Sequence, residues 1–225
     1  MKNMLRLLIA LGFVWGVTAH ATVIYENGAT VNNAVFSDPN TPQFIADDFR
    51  LSHGLNSITE IRWTGVYAPN ASTVEKNFST VEDNFWFQLF ADVSGAPALT
   101  PMVSLFVGDP GRTDINIDIF SNDLFEYSVT IAPIIVTPDT TFWLSIINDT
   151  SNNAVSNWAW ASQSFDFGGG NLAQRTSEGS SWFLSSSFVQ DLTISGPVGI
   201  PEPAPMVLLA LGFVGLIGYR KLQDS

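Results

Sequence analysis

The chain reads as an all-β protein: an antiparallel β-sandwich with jelly-roll-like connections, flanked by an N-terminal signal-peptide helix and a C-terminal transmembrane helix. Three observations predict this. Only 13% of the 225 residues are charged while aromatics reach 12%, and an abundance of Gly, Pro, Ser, Thr and Asn favours strands and turns over helices. Between the ends, short β-branched and aromatic runs alternate with turn sequences, with no amphipathic helical period between them. Finally, the two long uncharged apolar runs lie at the extremities, Leu7–Val17 and Met206–Tyr219.

In chain order, residues 1–21 have the build of a secretory signal. Lys2 and Arg6 supply a positive start, Leu7–Val17 an apolar stretch too short to span a bilayer, and Ala19-His20-Ala21 a small-x-small cleavage pattern, so the mature chain would begin at Thr22. Residues 22–196 form the domain. Expected strands are Thr22–Tyr25, Phe44–Leu51, Ile58–Ala68, Asn84–Asp92, Met102–Val107, Phe125–Ile131, Thr141–Asn148, Asn157–Gln163, Ser181–Leu184 and Phe188–Ser195. Turn sequences such as Asp38-Pro39-Asn40, Gly95-Ala96-Pro97, Asp109-Pro110-Gly111 and Gly168-Gly169-Gly170 separate them. Phe85–Phe90 and Phe142–Ile147 are apolar on both faces, which predicts central strands. Residues 197–203 are a linker, and residues 204–225 a membrane segment with a basic end.

Composition also narrows the chemistry. Residues 22–200 hold nineteen acids against five bases, a net charge of −14, which argues against nucleic acid as a partner because phosphate binding needs clustered cations. The chain has no cysteine, which removes disulfides, thiolate metal sites and cysteine nucleophiles. After signal removal only His53 remains, too few histidines for a zinc site and placed in a turn sequence rather than a triad setting. The domain is therefore expected to be non-enzymatic, with no cofactor beyond Ca²⁺.

Oxygen ligands for Ca²⁺ are the one metal option. Asp47 shares the inward strand face with Ile45 and Phe49, whereas Asp48 points outward with Arg50, so the adjacent pair cannot act as one acid/base couple. A buried Asp47 must be satisfied by hydrogen bonds or a cation, as a loop-tying residue or a calcium ligand. Asp109 and Asp114 belong to a second acidic cluster that does not match an EF-hand loop, and solvated turn carboxylates explain it more cheaply. The sequon Asn148-Asp149-Thr150 is expected to be fortuitous. Trp158 and Trp160 share a strand face with Ser156 and Ser162, a mixture of aromatic and hydroxyl groups that could stack on sugar rings or belong to the core. Asn171, Gln174, Arg175 and Glu178 could rim such a site.

The tail carries the most specific signal. Pro201-Glu202-Pro203 disfavours a helix start, the following run is barely long enough to span, and Arg220-Lys221 comes directly after it, placing the end of the chain inside and the domain outside. Gly212, Gly215 and Gly218 allow close approach of another helix. This order, Pro-Glu-Pro, a Leu/Val/Gly/Ala-rich span, then a basic pair, resembles the PEP-CTERM protein-sorting signal. The basic pair is sparser than the family's usual run and is followed by Leu222-Gln223-Asp224-Ser225. The resemblance implies export through the secretion machinery, a precursor in the inner membrane, processing by an exosortase near Pro201–Pro203, and a mature form at the cell surface or outside, often beside exopolysaccharide. Three tasks then compete for the domain: a structural or interaction role in the matrix, a carbohydrate-binding module using Trp158 and Trp160, and a glycoside-active enzyme with paired carboxylates.

Overall fold

The computed structural model describes residues 21–27, 31–52, 54–69, 81–152, 156–164, 171–185 and 188–197. The expected signal segment up to His20, the Pro-Glu-Pro motif, the membrane segment and His53 lie outside them. Among the described residues no helix is long and apolar enough to cross a membrane.

Among the described residues, fourteen strands form two antiparallel sheets. In chain order they are β1 (Ala21–Glu26), β2 (Asn33–Phe36), β3 (Phe44–Arg50), β4 (Ser57–Pro69), β5 (Phe85–Ala91), β6 (Val103–Gly108), β7 (Arg112–Ile119), β8 (Asn122–Ile135), β9 (Thr141–Asn148), β10 (Ser156–Ser164), β11 (Leu172–Arg175), β12 (Phe183–Ser185), β13 (Phe188–Gln190) and β14 (Leu192–Pro197). One sheet has six strands in the order β12-β11-β3-β9-β5-β6. The other has eight, organised on the long strand β4: β8 pairs along one edge, while β14 and then β10 share the opposite edge. β7 extends that sheet beyond β8, β1 beyond β14, and β2 and β13 beyond β10.

Alternation along the strands builds the core. Trp63 on β4 lies flat against Tyr127 of its neighbour β8, with ring centroids 5.3 Å apart and planes 9° apart. From the six-stranded sheet, the edges of Phe85 and Phe87 meet the Trp63 ring at 5.1 Å each. Such offset and edge contacts add to the burial free energy of aromatic rings. β9 and β5 occupy interior positions, as their two-sided apolarity predicts, because the outer face of the six-stranded sheet carries its own buried cluster of Ala46, Phe90, Trp143 and Ala173, with Trp182 packed on it.

Three strands depart from the expected set. β2, β7 and β11 are formed by residues read as turn or loop. In β7 a bulge between Asp114 and Asp118 breaks the alternation, with Asn116 at φ 58°, a left-handed conformation that Asn tolerates better than most residues. The expected strand Phe188–Ser195 is two strands: at Asp191, whose backbone N–H donates to Ala161 O at 3.0 Å, the chain leaves β10 and joins β4. Ala21, the residue before the expected cleavage point, lies in β1 and pairs with Pro197.

Candidate functional site

The outer face of the six-stranded sheet holds the site. Along it, β5 presents Trp86, Gln88 and Phe90, and the register sets small partners beside the middle residue: Gln88 lies opposite Ser145 of β9 and Ser104 of β6. Two strands away Ala46 pairs with Ala173. This row of short side chains leaves a trough between two taller rows, one of which contains Trp86, flanked by Ile147 and Phe106.

Loops close the trough on one side, and two side chains tie them down. Arg175 Nη1 donates to Leu99 O at 3.3 Å, and Trp182 Nε1 donates to Ala98 O at 3.1 Å. What remains is a cavity of about 590 Å³ whose polar lining includes Gln88, Ser104, Asp149, Arg175 and Glu178, with Phe44, Trp86, Leu99 and Pro101 among its apolar walls. That size falls within the roughly 300–1,000 Å³ typical of small-ligand sites, and a mostly apolar wall with a few convergent polar groups is their usual composition.

Arg175 is the unusual member. It is 2% exposed, and its guanidinium lies 4.4 Å from the Trp182 ring centroid and 5.3 Å from that of Phe90. Its hydrogen bonds go to neutral acceptors, Leu99 O and Gln88 Oε1, the latter at 3.0 Å from Nη2, while Nε has no partner among the described residues. Burial pushes its pKa down, partly offset by Glu178. Stacking on aromatic faces recovers part of the cost of burying the charge. Gln88 then passes the polar chain to the surface, its Nε2 donating to Glu178 Oε1 at 2.8 Å.

The sequence-derived candidates fare differently. Trp158 and Trp160 are each 0% exposed, so the expectation that they form a sugar platform is corrected: their face, with Ser156 and Ser162, points between the sheets. Phe85 meets Trp158 edge-on at 5.1 Å, and Trp160 Nε1 donates to Asp191 O at 2.9 Å. The serines on that face are core residues, also buried, and gave no sign of exposure. Arg175 does line a cavity, but a different one, and Asn171 is not among that cavity's lining residues: its backbone N–H donates to Asp48 Oδ1 at 2.5 Å.

The calcium candidates are not brought together; among the described residues no group of three or more His, Asp or Glu side chains could hold a metal ion. Asp47 is buried, its Oδ2 accepting from Gln190 N at 3.2 Å and Asn27 Nδ2 at 3.3 Å while Oδ1 has no partner among the described residues. Burial, reinforced by the neighbouring Asp48 charge, raises its pKa well above the usual carboxylate range. Asp109 and Asp114 are exposed and accept from the backbone N–H two residues on, Gly111 at 2.8 Å and Asn116 at 2.7 Å, the local turn bonds expected of Asx residues. The sequon residue Asn148 is buried, with Oδ1 accepting from Asn84 N at 2.8 Å.

Two buried carboxylates that the sequence did not single out are also fully engaged. Asp83 accepts from Tyr67 OH, from Asn148 Nδ2 at 2.9 Å and from Arg112 Nη1 at 3.1 Å. Asp38 accepts from Trp158 N at 2.9 Å and from both Thr150 N and Oγ1. These bonds fix loops to strands and tie both carboxylates into the fold. Trp86 and Gln88 were legible only as members of an apolar run; the single polar residue inside Phe85-Trp86-Phe87-Gln88-Leu89-Phe90 was the available clue. Compared with known proteins, the chain matches no family model, no curated protein and no solved structure.

Proposed function

We propose that this chain is an exported protein of the cell surface or extracellular matrix, that its tail is a PEP-CTERM sorting signal processed by an exosortase, and that its β-domain has a non-enzymatic structural or interaction role beside exopolysaccharide. The domain's connections, most of which cross from one sheet to the other, support a jelly-roll-like reading of the fold. The observation that carries the proposal is the order Pro201-Glu202-Pro203, apolar span, Arg220-Lys221, on a chain that also opens with a signal-like segment. The pairing of Ala21 with Pro197 adds support. The first and last described strands of the domain are neighbours, so Ala21 and Pro197 lie side by side. Asp38, Asp47 and Asp83 each accept hydrogen bonds from loops or strands, which suits structural carboxylates rather than a catalytic pair.

The test is a precursor carrying Glu202→Ala, expressed in a bacterium with an intact exosortase. The wild type is expected to convert to a shorter form that leaves the inner membrane, and the variant to stay full-length and membrane-bound. Normal maturation of the variant overturns the sorting assignment.

A further inference from the structure

We propose that the cavity over β5 is a saccharide-binding site that takes neutral sugar residues, with Trp86 as the stacking surface and Gln88, Arg175 and Glu178 as the hydrogen-bonding groups. This rests on the reading of the chain as a protein working beside polysaccharide. It assigns that role to a different place from the buried Trp158 and Trp160.

The argument starts from Trp86. It sits inside a central strand whose other outward residues, Gln88 and Phe90, are buried, yet it is 39% exposed. A large aromatic left open loses burial free energy that Ile147, its partner on β9, gains. Its ring is held in place: Phe106 packs against it at 4.8 Å with planes 47° apart. A fixed, half-open indole at the wall of a cavity offers a flat apolar surface to the C–H face of a sugar ring, with little side-chain entropy left to lose on binding.

The polar groups match hydroxyls. A sugar hydroxyl both donates and accepts, so it needs donors and acceptors side by side. Here Arg175 and Gln88 donate while Glu178 and Asp149 accept, and all four line the same cavity. Gln88 is oriented by Arg175 on one side and Glu178 on the other, at 3.0 and 2.8 Å, so its amide is set before any ligand arrives. Arg175 in turn is clamped by Trp182 and Leu99 O. Preorganised polar groups of this kind give specificity at low entropic cost.

Charge selects against acidic sugars. The cavity pairs one cation with two carboxylates, and the domain around it carries −14 over residues 22–200. A uronate or sulfated unit would meet Asp149 and Glu178 in a negative field, and like-charge juxtaposition costs affinity. A second cavity of about 300 Å³, on the eight-stranded sheet, holds Glu26, Glu126 and Asp191 with Arg62 but no exposed aromatic ring to stack on.

The experiment uses the full chain, purified in a detergent without a sugar headgroup. Tryptophan fluorescence and calorimetry are recorded against linear gluco-, manno- and galacto-oligosaccharides, with oligogalacturonate as the anionic comparison. The expected result is saturable binding to at least one neutral series, with little salt dependence and weaker binding of the uronate. Trp86→Ala should weaken that binding about tenfold or more, equivalent to roughly 1.4 kcal/mol, and Trp86→Phe should keep part of it. Both variants should retain the wild-type unfolding transition, since the ring is half-open. The proposal is overturned if no neutral series binds at millimolar concentration, if the uronate binds more tightly, or if Trp86→Ala binds like wild type. A chain that matures through the exosortase yet binds no sugar would reject this site and leave the sorting proposal standing.

Discussion

Gly65 shows how tightly single positions are fixed. It lies on β4 beneath the indole of Trp158, and a Cβ built there would come within 2.5 Å of the Trp158 ring. The ring is fully buried and its edge is met by Phe85, so it has no direction in which to yield. Gly65→Ala is therefore expected to destabilise the domain by about 1–3 kcal/mol, the usual cost of overpacking, as a lower urea midpoint. An unchanged midpoint would mean that the Trp158 packing is looser than described. The Asp83–Arg112 pair makes a second case. Both side chains are largely buried and 3.1 Å apart, and Arg112 also lies 5.1 Å from the ring centroids of Tyr67 and Phe125. Removing only the cation strands a carboxylate among Tyr67 and Asn148, so Arg112→Met should cost about 3 kcal/mol, while Asp83→Asn with Arg112→Met together should cost clearly less. Equal losses in the single and double variants would show that no such coupling exists. At this scale the sequence was a poor guide to the site. Trp158 and Trp86 are both tryptophans in alternating strands, and only the position of the facing sheet decides that one is walled in by Phe85 and the other left half-open beside Phe106.

At the scale of the element, strands with two apolar faces or a clear alternation could be read from the residues, and those without could not. Thr141–Asn148 has the bounds expected of it because a mid-sheet strand buried on both faces announces itself in composition. β7 does not, because most of its residues are exposed and its bulge at Asn116 interrupts the period. β11 is only four residues long and was hidden by the glycine-rich sequence before it. Yet β11 delivers Arg175, so the least legible strand supplies the most buried charged group of the candidate site. The edge of that same sheet carries a further prediction. β12 is three residues long, with Phe183 64% and Leu184 53% exposed. Two open apolar side chains on an edge strand offer apolar surface to a second chain. Leu184→Lys should leave the unfolding free energy within about 0.5 kcal/mol of wild type and slow concentration-dependent self-association seen by light scattering. Faster association in the variant would contradict this account of the edge.

For the whole domain, the balance of charge sets how stability follows pH. Asp38, Asp47, Asp83 and Asp191 all have pKa values raised in the folded state, in each case chiefly by burial. Hydrogen bonds from Thr150, Trp158 and Tyr67 pull Asp38 and Asp83 back only in part. A group whose folded pKa lies above its unfolded value binds more protons when folded, so its contribution is fully present below the unfolded pKa, near 3.8, and is lost as pH rises through the folded pKa. Four such groups act in the same direction. The −14 surplus over residues 22–200 adds to them, since self-repulsion among ionised carboxylates grows over the same range. The domain should thus resist urea better at about pH 5 than at about pH 8, the opposite of a protein held by salt-bridged surface carboxylates. Salt separates the two contributions, because it screens surface repulsion far more than it reaches a buried group. Asp47→Asn isolates the buried part: the side-chain oxygen can still accept from Gln190 N and Asn27 Nδ2, while the buried charge is gone. That variant should be more stable than wild type at pH 8, by a smaller margin at pH 5, and equal or nearly so only below the unfolded carboxylate pKa near 3.8, so that its pH profile is flatter and its salt response unchanged. A wild type whose urea midpoint rises steadily from pH 5 to pH 8, or an Asp47→Asn variant with the same pH slope, would show that buried carboxylates do not govern the stability of this fold.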